Sequence, residues 1–306
     1  MSTGTEIAGA AEPRAGASFG REAWRQVWAS RAARACLAVL AVFCLAALGG
    51  EIANAWYAWR DVPPPWQAQN LAARHLPPCA AHWLGTDGLG RDVGLRLAQG
   101  ARIAFQVGVV SSLIAIPIGV LLGCLGGYFG GKMDDFVVWL STTFAAIPGL
   151  WLVLASAMVV GKGLLGVFLA IGLTTWVGVC RLIRAEVLQQ KGRGYVRAAR
   201  ALGFSHGRIL FRHILPNVIH VALVSFTLRF PAAIGTEVFL SFLGIGAQGQ
   251  PSWGTMISSA RLRLWQGMWW ELAAVTVAIF AVVLAFNLLG DALRDALDPR
   301  LRTARE

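Results

Sequence analysis

The chain has 306 residues, of which 56% are hydrophobic and 14% charged, with 13 Trp. That balance excludes an ordinary soluble domain and fits a polytopic membrane protein. The formal charge is +11, but the basic residues sit in short segments between apolar runs. No basic-aromatic nucleic-acid motif accompanies them, so membrane topology accounts for the charge and nucleic acid is not a partner.

In chain order, residues 1–34 form a polar tail rich in Ala, Gly and Arg. The first apolar run, 35–50, falls short of the ~20 residues a span needs. It extends to a helix over 35–55 if Glu51 finds a partner. Trp24 and Trp28 before it, and Trp56, Tyr57 and Trp59 after it, are placed as interfacial anchors. Ala53-Asn54-Ala55 has the form of a signal-peptidase site, but the polar leader is too long for a signal peptide, so an uncleaved helix is expected. A polar, Pro-rich loop on the outer face is expected over 56–102.

Four further apolar runs cover 103–125, 136–160, 164–180 and 272–289. Another, 218–245, is interrupted at 229–231 and at Glu237. Six spans follow, with a core over 103–290 and a short tail over 291–306. Pro117, Pro148 and Pro231 fall inside spans, where neighbouring helices can satisfy the freed carbonyls. Gly119, Gly123, Ser156 and Gly172 suit close helix packing. With the N-terminus inside, the inner segments carry 18 Lys+Arg and the outer ones 8. The bias puts both termini and the 181–217 loop in the cytoplasm.

Two tempting motifs fail on chemistry. Gly126-x4-Gly131-Lys132 has the spacing of a phosphate loop. Met133 stands where a Ser or Thr hydroxyl would be needed, and an apolar helix precedes it instead of a strand. His75, Cys79 and His82 are too loosely spaced, without a supporting acid, to make a metal site. The five cysteines give no disulfide framework: Cys36, Cys44, Cys124 and Cys180 lie in or beside apolar runs, and Cys79 has no loop partner.

Arg229 and Glu237 carry charge into a span. A mid-bilayer charge costs roughly 2.5–3.5 kcal/mol, so both are expected to face the bundle interior or a water-filled pathway. Residues 194–217, GYVRAARALGFSHGRILFRHILPN, form a basic, helix-competent segment between apolar runs. Gly203 divides two short helices and permits a sharp turn at positive φ. Ile209, Leu210, Ile214 and Leu215 are expected to offer an apolar face to a partner groove, with Pro216 ending the second helix.

Ala198 and Ala199 ahead of Gly203, with Leu215-Pro216 after it, resemble the EAA coupling loop of ABC importer permeases. Arg197 stands where that pattern commonly has an acid. His82 to Val93 (HWLGTDGLGRDV) and Gly100-Ala101-Arg102 resemble the C-type permease of the dipeptide/oligopeptide/nickel importer family. So do EVFLSFLGIG from Glu237, Pro251-Ser252-Trp253-Gly254, AFNLLGD from Ala285, Leu293-Arg294-Asp295 and Asp298-Pro299-Arg300. The linker 247–250 is about one residue shorter than that pattern.

The resemblance implies an all-α integral membrane protein with six transmembrane helices. Its fold would be the type I ABC importer permease fold in the cell inner membrane, with both termini cytoplasmic. It implies a non-catalytic chain with a coupling loop at about 185–217 that contains Ala198, Ala199, Gly203, Ile209, Leu210, Leu215 and Pro216. The implied partners are a second permease, two ABC ATPases, an extracytoplasmic solute-binding protein and membrane lipid. ATP and Mg would be bound by the ATPases, and this chain would hold no cofactor. The implied cargo is dipeptides or oligopeptides, with nickel or another small solute as the alternative. A self-contained secondary transporter or channel would need more intramembrane acids than Glu237.

Overall fold

The computed structural model describes residues 28–297, with side chains to Asp295. Residues 1–27 of the tail expected over 1–34, Trp24 among them, and Asp298-Pro299-Arg300 lie outside the described residues, and residues 31–34 already belong to the first helix. Within them, regular structure is helical apart from a single bridge between Thr86 and Asp92. The helices are α1 (Arg31–Arg60), α2 (Val93–Phe129), α3 (Gly131–Ala146), α4 (Gly149–Val160), α5 (Leu164–Thr174) and α6 (Val177–Lys191). They continue as α7 (Gly194–Ala201), α8 (His206–Phe242), α9 (Trp253–Ala260) and α10 (Trp270–Leu297).

By length and apolarity α1, α2, α5 with α6, α8 and α10 can each cross a membrane. The run 136–160 differs from expectation. It is no straight span but two helices, α3 and α4, meeting at 91°. Pro148 supplies no N–H and drives Ile147 out of the helical region, to φ −90° and ψ 130°. Pro117 and Pro231 remain inside α2 and α8.

Helix ends also move relative to the apolar runs. The Ser30 hydroxyl caps α1 by accepting from the Ala33 amide. Glu51 does find partners: its Oε2 accepts from Arg102 Nη1 at 3.1 Å and Gln106 Nε2 at 2.7 Å, which lets α1 run on to Arg60. The loop expected over 56–102 is shorter than that, because Asp92 caps α2 through the Leu95 amide and the helix starts at Val93. At the other end α10 continues to Leu297.

Helix α2 is the central post, packed against α1, α5, α6 and α8. Small residues set its approach to α6: a Cβ at Gly123 would meet the Cys180 carbonyl oxygen at 2.7 Å. One core joins α1, α2, α8, α9 and α10 around Phe230, which stacks on Phe286 at 4.1 Å. A second core sits at the opposite end of α2 from the 61–92 loop. It holds Tyr128 and Cys124 of α2, Val179, Ile183 and Val187 of α6, and residues of α7 and α8.

The 61–92 loop is organised around Asp87, which is 1% exposed. Its carboxylate accepts from the Leu89 and Arg91 amides and, at 2.7 Å, from Arg91 Nε. Burial works to raise this carboxyl, and these bonds outweigh it, holding the group below its ordinary value. Trp270 Nε1 donates to the Thr86 carbonyl and ties the loop to α10.

Candidate coupling segment and membrane pathway

Helix α7 ends in a Schellman motif. The Gly203 amide donates to the Arg200 carbonyl at 2.9 Å and the Phe204 amide to the Ala199 carbonyl at 3.1 Å. Gly203 sits at φ +77°, the left-handed region expected for it, and a Cβ built there meets nothing within 4 Å. The turn thus needs glycine for its backbone angle, and the space beside it is open. After the turn, Ser205 caps α8 and Phe204 folds back to stack on His213, with the Arg208 guanidinium 4.7 Å from the Phe204 ring centre.

Helix α8 does not stop at Pro216. Residues Ile209–Ile214 form a π-helical turn, and the rod continues without a break to Phe242. The wider turn accommodates a residue that cannot donate to the carbonyl behind it. Asn217 Nδ2 donates to the His213 carbonyl at 2.6 Å, supplying a bond in the same turn.

That geometry overturns the expected role of Ile209 and Leu210. They are 0% and 2% exposed, and with Ile214 (0%) they face inward onto Cys124, Tyr128, Ile183 and Val187. Val196 and Ala199 of α7 join them there, and Leu215 packs at the margin. The π turn lies on these apolar residues, which are buried against their own bundle and anchor the segment there. What remains outside is Ala198, Ala201, Gly203 and Pro216, together with Leu202 at 73% and Phe211 at 57% exposure. Arg197, Arg200 and Arg212 are exposed beside them. Leu202 and Phe211 escaped the sequence reading. The signal for Phe211 was present: it breaks the inward register of 209, 210 and 214.

Polar ties fix the segment to the spans. Tyr128 Oη lies 3.0 Å from His206 Nδ1, and Tyr195 Oη donates to Gln190 Oε1 at 2.9 Å. At the start of α3, Asp134 receives both Arg184 Nε and Nη2, at 2.5 and 2.6 Å. This bidentate pair joins α3 to α6 beside the anchor.

The two intraspan charges are not paired with each other. Arg229 is half-buried and donates to the Thr175 carbonyl and hydroxyl at the break between α5 and α6. No carboxylate lies within ion-pair distance of it among the described residues. Glu237 is 0% exposed and does not line an open passage here. Its Oε1 accepts from Ser241 Oγ at 2.6 Å, and Ser241 Oγ accepts from the Ala247 amide at 3.1 Å. Glu237 therefore holds the turn after α8, where the Ile245 carbonyl in turn receives the Gly163 amide. At the same end as that turn, His82 Nδ1 lies 2.7 Å from Asp92 Oδ2, while Cys79 is exposed. Among the described residues no group of three His, Cys, Asp or Glu could hold a metal ion.

Residues 115–303 match the family described as binding-protein-dependent transport system inner membrane component. The dipeptide transport system permease protein DppC of Bacillus subtilis is 39% identical over 287 residues, 93% of this chain and 87% of that protein. The oligopeptide transport system permease protein OppC of the same organism is 41% identical over 234 residues, 76% of each chain. Among solved structures, a crystal structure of an amino acid ABC transporter with histidines superposes with a TM-score of 0.50 at 16% identity. It covers 64% of this chain and 91% of that one, a likeness of fold.

Proposed function

The chain belongs to the family of binding-protein-dependent transport system inner membrane components, and from that premise we propose how it is driven and what it carries. It is a multi-pass inner-membrane permease subunit of an ABC importer, with the type I importer permease fold. The cargo in this reading is short peptides, supported by the relatives named for dipeptide and oligopeptide transport. The chain is non-catalytic: two partner ATPases hold ATP and Mg and hydrolyse the nucleotide. A homologous second permease completes the pathway, and a solute-binding protein delivers cargo to the face that carries the 61–92 loop. Both termini lie in the cytoplasm with the coupling segment.

One observation carries the coupling role: a small exposed apolar and basic face stands on a deeply buried anchor. Ala198, Ala201, Leu202, Gly203 and Phe211 form the face, and Ile209, Leu210, Ile214, Val196 and Ala199 form the anchor. Burying each large anchor side chain is worth about 1.5–3 kcal/mol. A push on the face is therefore passed to α2 and α6 before the segment detaches. Asp134–Arg184 carries the same motion to α3. ATPase closure moves the segment, and the bundle reopens to the other side.

The experiment compares Phe211→Asp with Ile209→Ala in the assembled transporter. Phe211→Asp leaves thermal stability unchanged and abolishes ATPase pull-down and dipeptide uptake together. Ile209→Ala lowers stability by about 2–5 kcal/mol, as a large-to-small core change does. A Phe211→Asp variant that retains its ATPase and imports normally would sink the proposed face.

A further inference from the structure

A cleft of about 320 Å³ opens at the end of the bundle that carries the 61–92 loop. It lies between the start of α2 and the loop joining α8 to α9, and Arg91, Arg96, Gln67, Gln248, Gln250 and Thr255 help to line it. Its base is unusual. Arg96 is 6% exposed, and its Nε is buried with no hydrogen-bond partner. Nor do its terminal nitrogens bond to any group among the described residues. The nearest carboxylate oxygen, Asp87 Oδ2, stands 3.5 Å from Arg96 Nε and is already taken by Arg91 Nε at 2.7 Å. A guanidinium offers five donors in a planar fork, and leaving the buried Nε without a hydrogen bond is costly.

The charge around Arg96 is also out of balance. Arg91, Arg96 and Arg263 stand within electrostatic reach of one another, with Asp87 and Glu271 as the acids among them. Glu271 is engaged by Arg263 at 3.1 Å. Three guanidiniums against two carboxylates leave a net positive charge, with Arg96 sharing Asp87 with Arg91 and making no hydrogen bond of its own to it. Gln250, on the same wall, already receives a hydrogen bond from Arg102, so the wall is held in place before any ligand arrives.

We propose that this cleft is a binding site for one carboxylate of a small molecule, received by the free fork of Arg96 with Arg91 beside it. The volume lies at the lower end of the ~300–1,000 Å³ range for small-molecule pockets, enough for one end of a short peptide and not a long chain. The geometry favours a planar bidentate acceptor, which a carboxylate is. In a peptide importer the group is the cargo's C-terminal carboxylate, met at the outer mouth. Only that assignment of owner rests on the peptide reading; the carboxylate site rests on the cleft.

The test is side-chain protection in the complete transporter, purified with its partner subunits and reconstituted in nanodiscs. Phenylglyoxal adducts are mapped by mass spectrometry at Arg91 and Arg96, with the exposed Arg294 as internal control. The probes are dialanine, alanylalaninamide and glutarate. At a probe concentration ~10 times its Kd, mass action slows modification of Arg96 about tenfold. Dialanine and glutarate should protect, the amide should not, and Arg294 should be unaffected. Protection by glutarate but not dialanine keeps the carboxylate site and removes peptide as its owner. Equal protection by the amide, or none by any probe, overturns the proposal. Protection that appears only with ligand-free solute-binding protein also overturns it, since the carboxylate would then belong to that protein.

Discussion

Gly203 separates backbone strain from surface contact, and two substitutions read them apart. At φ +77° an L-residue costs roughly 1–2 kcal/mol relative to glycine. No steric term is added for Ala, because a Cβ there meets nothing within 4 Å. Gly203→Ala should therefore loosen only the Schellman turn. Amide exchange at Gly203 and Phe204, the two donors of that turn, should accelerate about 5–30-fold, the factor that 1–2 kcal/mol represents. Gly203→Trp adds an indole in the open space beside the turn, on the face proposed to meet the ATPase. Expression and pairing with the second permease should stay near normal, since Val196, Ala199, Ile209, Leu210 and Ile214 beneath the turn are untouched. ATPase association and uptake should fall together by at least about tenfold, the effect of losing 1.4 kcal/mol of binding. The assay is hydrogen exchange on the purified complex, with pull-down and uptake from the same membranes. Retained pull-down with wild-type uptake in Gly203→Trp refutes the coupling role. Unchanged exchange in Gly203→Ala refutes the strain argument.

Arg229→Ala removes the tie to Thr175 and leaves no buried charge behind, so assembly should survive while the uptake rate changes; normal uptake would deny Arg229 any part in the pathway. Both termini inside predicts that Cys79, exposed in the outer loop, reacts with impermeant maleimide in intact cells. Ser205→Cys, in a background without Cys79, should react only after the membrane is opened; labelling of both from outside would reverse the topology. Asp87 holds its loop with a carboxyl below its ordinary value, so its contribution is complete above that value and is lost as pH falls through the lower folded one. Proteolysis of the 61–92 loop should thus be flat from about pH 8 to 5 and rise only below about pH 4, and a rise near neutral pH would contradict that assignment.

The sequence carried five of the six expected apolar crossings and the glycine turn because both depend on neighbouring residues: length of an apolar run, and a helix-prone alanine cluster ended by glycine. What it could not carry were relations set by distant partners. Glu51 visibly needed a partner, yet Arg102 and Gln106 reach it only because α1 and α2 pack side by side. The prolines divide the same way. Pro117 and Pro231 stay inside helices, whereas Pro148, followed by Gly149, breaks one. A Pro-Gly pair is a turn signal even inside an apolar run, so this break was legible from local chemistry. The inward turn of Ile209 and Leu210 was not. An apolar stripe says that a face is buried, not whether its own bundle or a partner buries it. The π turn that decides the matter is a response to Pro216 within a rod held at both ends by packing. That resolution has a mechanical consequence. A segment whose large aliphatic residues all faced the ATPase would be tied more tightly to the partner than to its own helices. In the proposed coupling, with Ile209, Leu210 and Ile214 turned inward and Leu202 and Phe211 outside, the segment stays with its bundle, and the face can engage and release without unseating the anchor.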